Sequence, residues 1–391
     1  MDSLDAFARA KLAALDRSNL RRSLAETTRL DGSWVQRDGR RMLSFCCNDY
    51  LNLSIHPSVV AAALEATRQY GVGAGGSRLV TGNHPLYAAL EQRLARLKGT
   101  DDACVFGSGY LANAGIIPAL AGKRDLLLLD ELAHACIWTG SHLTGGTVLS
   151  FRHNDVAHAE RLLDGAREGH THAMILTDSV FSMDGDLAPL HELAALAERH
   201  DAWLMTDDAH GIGVLGDGRG AVHAGDRPAR VPLQMGTLSK AIGGYGGYLC
   251  ASRPVIDLIR TRARTFIYAT GLPPGTVAAA IAALDLIAAQ PAYAALPVRK
   301  ARLFTTLVGL PEAASPIVPL ILGEAPTALA ASRLLAEAGF LVSAIRPPTV
   351  PAGTARLRFT FTARHTDEAI TRLAELVRDR IMGRSARRVH Q

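Results

Sequence analysis

Between Ala103 and Ala251 the chain repeats one pattern: a short apolar run, then a stretch with helical spacing. The runs are "ACVF", "DLLLLD", "GTVLSF", "HAMILTD", "AWLMTDD", "VPLQMGT" and "GYLCAS". Strands that alternate with helices in this way assemble as an α/β domain with a mainly parallel sheet. Several runs close on a polar residue, and in open α/β sheets the ligand crevice lies outside the carboxyl ends of the strands. Asp130, Asp178, Asp207 and Thr237 are therefore expected where chemistry takes place.

The flanking sequence is organised differently. "MDSLDAFARAKLAALDRSNLRR" mixes acids and bases on an amphipathic helical period, unlike the apolar centre of a signal peptide, so no export is expected. The longest apolar stretch, from Gly275, is broken by Asp285 and falls short of the roughly 18 to 20 residues of a membrane span. A long Ala/Leu helix near 274 to 290 is followed by "SPIVPLILG", a helix "APTALAASRLLAEAGF", "LVSAI", "ARLRFTFTA" and a last helix from about Thr366, with "RPPTVPAGT" as a loop between strands. The expected organisation is an N-terminal helical and extended segment 1–45, a large α/β domain 46–285 and a smaller α+β domain 286–391.

Charge and cysteines narrow the function classes. Of the net charge of +5, the tail Arg378 to Gln391 carries five arginines and one aspartate, hence +4, so the remaining chain is near neutral. Without a basic face across a folded domain, nucleic-acid binding is not expected. The tail reads as a solvated end, with an acidic partner as the alternative. Five scattered cysteines without a CxxC pair fit a reducing interior and argue against a thiolate metal site; no metal is expected.

Several constellations carry chemistry. In "WLMTDDAHGIGVLG" the glycines 211, 213 and 216 satisfy G-x-G-x-x-G after a strand, but the following "DGRGAVHAGDRP" is loop-like where a dinucleotide site needs a helix and a later acid. The phosphate-binding G-x-x-x-x-G-K-[ST] is absent. What "TDDAH" does place at a strand end is two acids and a histidine, costly to bury without a partner. A cationic ring is such a partner: an aspartate facing a pyridine nitrogen keeps it protonated, which makes pyridoxal phosphate (PLP) an electron sink. Lys240 follows Asp207 by 33 residues in "GTLSKAIGGYGGY", among glycines and small hydroxyl residues that leave room for a Schiff base to form. In "FGSGYLANAGI" the backbone N–H groups of Gly109 and Tyr110 can face a phosphate at a helix N-terminus. Thr237 and Ser239 add hydroxyls, and His134, four residues after a buried strand, is placed to lie over a ring. Taken singly, Ser108 is an ordinary helix cap, His134 a surface histidine and Lys240 a loop lysine.

Together with "NDYL" (48–51), "GAGGSRLVTGN" (73–83), "SGYLAN" (108–113), "FRHND" (151–155), "VFSMDGDLAPL" (180–190) and "DDAHGIGVLG" (207–216), these motifs resemble the α-oxoamine synthases, a PLP-dependent family, over most of the chain. The resemblance implies PLP fold type I, with a large, mainly parallel sheet of seven strands and a smaller C-terminal α+β domain. It implies that Lys240 holds PLP and moves the α-proton, that Asp207 pairs with the ring nitrogen, that His134 stacks on the ring and that His210 bonds its 3-hydroxyl. Gly109, Tyr110, Ser182 and Thr237 become further cofactor contacts. Arg21, Asn48 and Thr349 fall on substrate-binding positions, and Arg346 would grip the amino-acid carboxylate through its fork of donors.

Within the family, "AIRPPTVPAGTARLR" (344–358) is similar to the members of biotin biosynthesis that join L-alanine to a pimeloyl thioester, carried on CoA or on an acyl carrier protein. The family also implies a cytoplasmic homodimer with sites at the subunit interface and "GGSR" approaching the partner's site. Sister members take glycine with acetyl or succinyl thioesters, or serine with palmitoyl, so another α-oxoamine synthase such as a glycine C-acetyltransferase is one alternative; a fold type I aminotransferase is another. Two departures stand out. Asn52 occupies a position that is more usually glycine, which Asn tolerates through left-handed geometry. Asp178 stands where glutamate is also common.

Overall fold

The computed structural model describes residues 2–18, 20–22 and 24–383; the arginines from Arg384 on, and with them most of the basic tail, lie outside the described residues. The chain divides into two compact units: Asn48–Arg299 with Ala313–Pro316, and Met1–Cys47 with Lys300–Glu312 and Ile317–Gln391.

All seven apolar runs of the larger unit are strands: β1 (Asp102–Phe106), β2 (Leu126–Asp130), β3 (Thr147–Phe151), β4 (Ala173–Asp178), β5 (Ala202–Asp207), β6 (Leu233–Thr237) and β7 (Gly247–Ala251). They form one sheet in the order β1-β7-β6-β5-β4-β2-β3. Only β7 runs antiparallel to its neighbours. Helices cover both faces, which is why Leu126, Leu127, Leu128 and Leu129 are all fully buried and the strand carries no polar alternation. One face packs on α1 (Gly109–Leu120), α2 (Ala135–His142) and Arg253–Arg262, through Cys104, Ile116, Leu127 and Ile256. The other packs on helices Val156–Ala166 and Leu190–Arg199, through Leu128, Leu163, Leu193 and Leu204.

Register fixes what meets at the carboxyl edge. Asp178 lies opposite Asp207, and Asp207 opposite Met235, two residues before Thr237. The turn at Asn52 survives its departure from glycine: its backbone is left-handed, with φ 53° and ψ 30°.

In the smaller unit, strands Thr27–Arg29, Trp34–Arg37, Arg40–Ser44 and Phe340–Leu341 form one sheet, and Ile317–Gly323, Ala355–Thr360 and Ser343–Ile345 another. The run "LVSAI", read as one strand, is thus divided. Phe340–Leu341 pairs in parallel with Leu43–Ser44, while Ser343–Ile345 pairs with the strand Ala355–Thr360. At the centre of this unit the buried imidazole of His365 stacks on Phe45, with centroids 3.9 Å apart and planes 7° apart, beside Phe361.

Candidate active site

Nine of the twelve sequence-predicted site residues, namely Asn48, Gly109, Tyr110, His134, Ser182, Asp207, His210, Thr237 and Lys240, belong to the larger unit. Arg21, Arg346 and Thr349 belong to the smaller one.

Asp207 ends β5 with its carboxylate buried. Oδ2 accepts from Asn113 Nδ2 at 2.8 Å and Oδ1 from the backbone N–H of Ala209 at 2.9 Å. Among the described residues no salt bridge meets this carboxylate. A buried carboxylate that accepts only neutral donors stays unbalanced in charge, the condition that a bound cation relieves.

His134 precedes α2 and caps it, Nδ1 accepting from the Cys136 N–H at 3.3 Å. Its own N–H donates to Asp178 Oδ2 at 2.7 Å. Burial lowers the imidazole pKa, opposed by the charge of Asp207 and aided by that of Lys240, so the ring is neutral near pH 7. Burial and then the Asp207 charge push the Asp178 carboxyl well above the ordinary carboxylate range. The Asp178 carboxyl, in register with Asp207, is thereby disfavoured as an anion.

Lys240 is half-buried and its electrostatic reach includes His134, Asp178 and Cys136. Its loop is a closed turn. Gly243 N–H bonds the Lys240 carbonyl at 2.8 Å, Gly244 N–H the Leu238 carbonyl at 2.9 Å, and Leu238 N–H the Gly246 carbonyl at 2.9 Å. Gly243 has φ 73°, and a Cβ there would strike the backbone of Ser54. The glycines that the sequence offered as space are thus equally a means of tight closure.

The helix N-terminus expected to take a phosphate lies against the end of β6. Ser108 caps α1, its Oγ accepting from Leu111 N at 3.2 Å. A Cβ on Gly109 would lie 3.4 Å from the Thr237 Cβ and 3.5 Å from its Oγ1, so the helix N-terminus and the end of β6 converge. Thr237 Oγ1 donates to the Gly246 carbonyl at 2.7 Å and lies 2.7 Å from Ser239 Oγ. The Tyr110 side chain is turned outward, its hydroxyl 2.9 Å from Thr139 Oγ1, leaving its backbone for the cradle. His210, buried, has Nδ1 2.6 Å from the Tyr50 hydroxyl, which also donates to Asn48 Oδ1 at 3.4 Å. Ser182 is half-buried just beyond Phe181.

In the smaller unit the three predicted substrate residues are neighbours. Arg346 Nη2 donates to the Arg21 carbonyl at 3.1 Å, and Arg22 Nη2 to Thr349 Oγ1 at 2.9 Å, at the start of the proline-rich loop.

Sequence reasoning missed the groups that hold these residues. Asn113 and Cys136 connect Asp207 to His134, and Tyr50 steadies His210, although Asn113 and Tyr50 both stood inside quoted motifs. The polar residue of "SGYLAN" on an otherwise apolar helix was the available signal for Asn113. Asp208 was read together with Asp207, but it belongs to a separate pair: its Oδ2 is 2.6 Å from Lys98 Nζ with both side chains fully buried, and its Oδ1 accepts from Ser179 Oγ at 2.6 Å.

The cradle, the unbalanced aspartate, the neutral imidazole and the lysine form a donor set that fits a phosphorylated cationic ring held by an amine. Comparison with known proteins agrees. Residues 40–377 match the family model described as aminotransferase class I and II. A protein of Parvibaculum lavamentivorans named a putative 8-amino-7-oxononanoate synthase is 64% identical over 387 residues, covering 99% of this chain and 100% of its relative. One of Beijerinckia indica named 8-amino-7-oxononanoate synthase is 62% identical, covering 96% and 98%. Among solved structures, a serine palmitoyltransferase of S. paucimobilis with bound PLP and myriocin superposes with a TM-score of 0.89 at 29% identity over 97% of each chain. An 8-amino-7-oxononanoate synthase of Francisella tularensis superposes with a TM-score of 0.76 at 26% identity, over 88% of this chain and 99% of that one.

Proposed function

The chain belongs to the class I and II aminotransferase family and is a PLP-dependent acyltransferase of the α-oxoamine synthase kind; on that premise we propose that it condenses L-alanine with a pimeloyl thioester, on CoA or an acyl carrier protein, to give 8-amino-7-oxononanoate, carbon dioxide and the free thiol. The observation that carries the cofactor's place is Asp207, a buried carboxylate with two neutral donors and no salt bridge among the described residues, whose charge acts on a neutral His134 that also feels the charge of Lys240. The names of relatives at 62–64% identity support the substrates.

When bound, PLP supplies an aldehyde for an amine and a sink for charge arising at the amino acid's α-carbon. The chain supplies the rest. Lys240 Nζ would hold the cofactor's aldehyde and, as a free amine, would take the α-proton and return one. Asp207 would keep a proton on the ring nitrogen, and neutral His134 would lie against the ring without adding a charge that opposes that proton. His210, steadied by Tyr50, would bond the 3-hydroxyl. The N–H groups of Gly109 and Tyr110, with Thr237 and Ser182, would receive the phosphate and its surroundings. Arg346 receives the amino-acid carboxylate, with Arg21, Asn48 and Thr349 toward the substrates, roles carried over from the family resemblance. Cytoplasmic location is part of the proposal; no single helix among the described residues is long and apolar enough to cross a membrane.

The test is Lys240→Ala. The variant is expected to purify folded, with unchanged far-UV circular dichroism, and to lose both turnover and the visible absorption of the yellow holoprotein. Retained absorption and turnover would remove Lys240 from its role.

A further inference from the structure

Two side chains with no part in the chemistry above connect those that have one. Asn113 is fully buried on α1, and its amide nitrogen has two protons, one within reach of each of two acceptors: Asp207 Oδ2 at 2.8 Å and Cys136 Sγ at 3.0 Å. Cys136 Sγ in turn lies 2.8 Å from His134 Nδ1. That nitrogen already accepts the Cys136 backbone N–H, so it carries the lone pair. The thiol keeps its proton, because burial and then the Asp207 charge raise its pKa, and the S–H donates to Nδ1. Donation therefore runs from Asn113 to Asp207 on one side and, through Cys136, to His134 on the other.

Charge sets the orientation of the amide, since reversing it would press Oδ1 against the Asp207 carboxylate. As placed, Oδ1 is buried and has no hydrogen-bond partner among the described residues. An unmatched buried acceptor is a cost, offset only by what the nitrogen does. The approach of the two helices is also specific: a Cβ on Gly140 of α2 would stand 2.5 Å from the Asn113 carbonyl oxygen.

We propose that Asn113, with Cys136 as its relay, is a positioning residue of the reaction, aiming the Asp207 carboxylate and holding His134 in the tautomer that presents Nε2–H. The proposal rests on the PLP-dependent reading of this site.

The test uses holoenzyme with alanine and pimeloyl-CoA, and apoprotein titrated with PLP. Asn113→Leu removes the donors while keeping the branched shape and the number of heavy side-chain atoms. Without those donors the Asp207 carboxylate loses its aim. As a result kcat should fall about tenfold, the KM for alanine should change less than about threefold, and the Kd for PLP should rise about tenfold. Cys136→Ala should lower kcat several-fold, and Cys136→Ser should restore it, since a hydroxyl can accept from Asn113 and donate to His134. An Asn113→Leu enzyme with unchanged kcat and unchanged PLP affinity overturns the proposal. So do equal losses in Cys136→Ser and Cys136→Ala, the pair that decides if Asn113→Leu does not fold. Lys240→Ala is measured alongside. If it keeps its visible absorption, the PLP reading itself fails; if it loses it while the Asn113 and Cys136 variants are silent, only the positioning role falls.

Discussion

Asp207 and Asp208 are adjacent in the chain and have opposite fates. Asp207 meets Asn113 and the Ala209 N–H, whereas Asp208 meets Lys98, Ser179 and the Ala221 N–H. From "TDDAH" alone the two acids are equivalent, and resemblance selected the first. Lys98 was not legible because it lies 110 residues away at the end of a helix, where a cation is an ordinary finding. The buried Lys98–Asp208 pair underlies the loop that contains His210, and Lys98 also donates to the Arg219 carbonyl at 2.8 Å. Lys98→Met should strand an uncompensated carboxylate and cost about 3–5 kcal/mol in urea unfolding, while the double variant Lys98→Met/Asp208→Asn should recover much of that loss. A single variant within about 1 kcal/mol of the parent would contradict this account of the pair.

At the scale of elements, the central strands were legible because burial on both faces writes them as continuous apolar runs. Their order in the sheet was not, since pairing depends on contacts far apart in sequence. In the smaller unit the short run "LVSAI" carried no mark of its division between two sheets. That unit holds a histidine whose chemistry has a measurable sign. His365 Nδ1 accepts from Thr362 N at 3.0 Å and Nε2 donates to the Ser44 carbonyl at 2.9 Å; burial, against that carbonyl and with help from Lys300, lowers its pKa to about 3. Below the ordinary imidazole value near 6.5 the unfolded chain binds a proton that the folded one refuses. Stability should therefore fall with pH from about 6.5 toward 3, by about 1.4 kcal/mol per unit once well below 6.5, from this residue alone. Thermal or urea unfolding of His365→Gln between pH 6.5 and 5 should show a slope shallower by that amount; an unchanged slope would contradict the assignment. His153 has the opposite sign. Burial opposes its charge, but Asp130 at 3.1 Å and Asp186 at 2.7 Å outweigh it and raise the pKa to about 10, so its contribution is complete below 6.5 and fades as pH climbs toward 10.

For the whole molecule, the motifs that named the family also named the lysine, the aspartate and both histidines, since each stands at or just beyond a strand end that periodicity exposes. The supporting groups are found by contact and not by spacing, and so Asn113 and Cys136 had to be seen. A second copy of the chain is the proposed cover for the glycine-rich segment 71–83, which leaves Val72 83% and Val80 78% exposed; sedimentation at micromolar concentration should return twice the chain mass of 41.6 kDa, and a stable monomer would contradict it. The central claim is the reaction. Holoprotein should be given alanine, glycine or serine in turn with pimeloyl-CoA, and carbon dioxide and free thiol followed together. Alanine should release both in equal amounts, with glycine and serine far slower; release with glycine and not alanine, or amino transfer without carbon dioxide, would contradict the account.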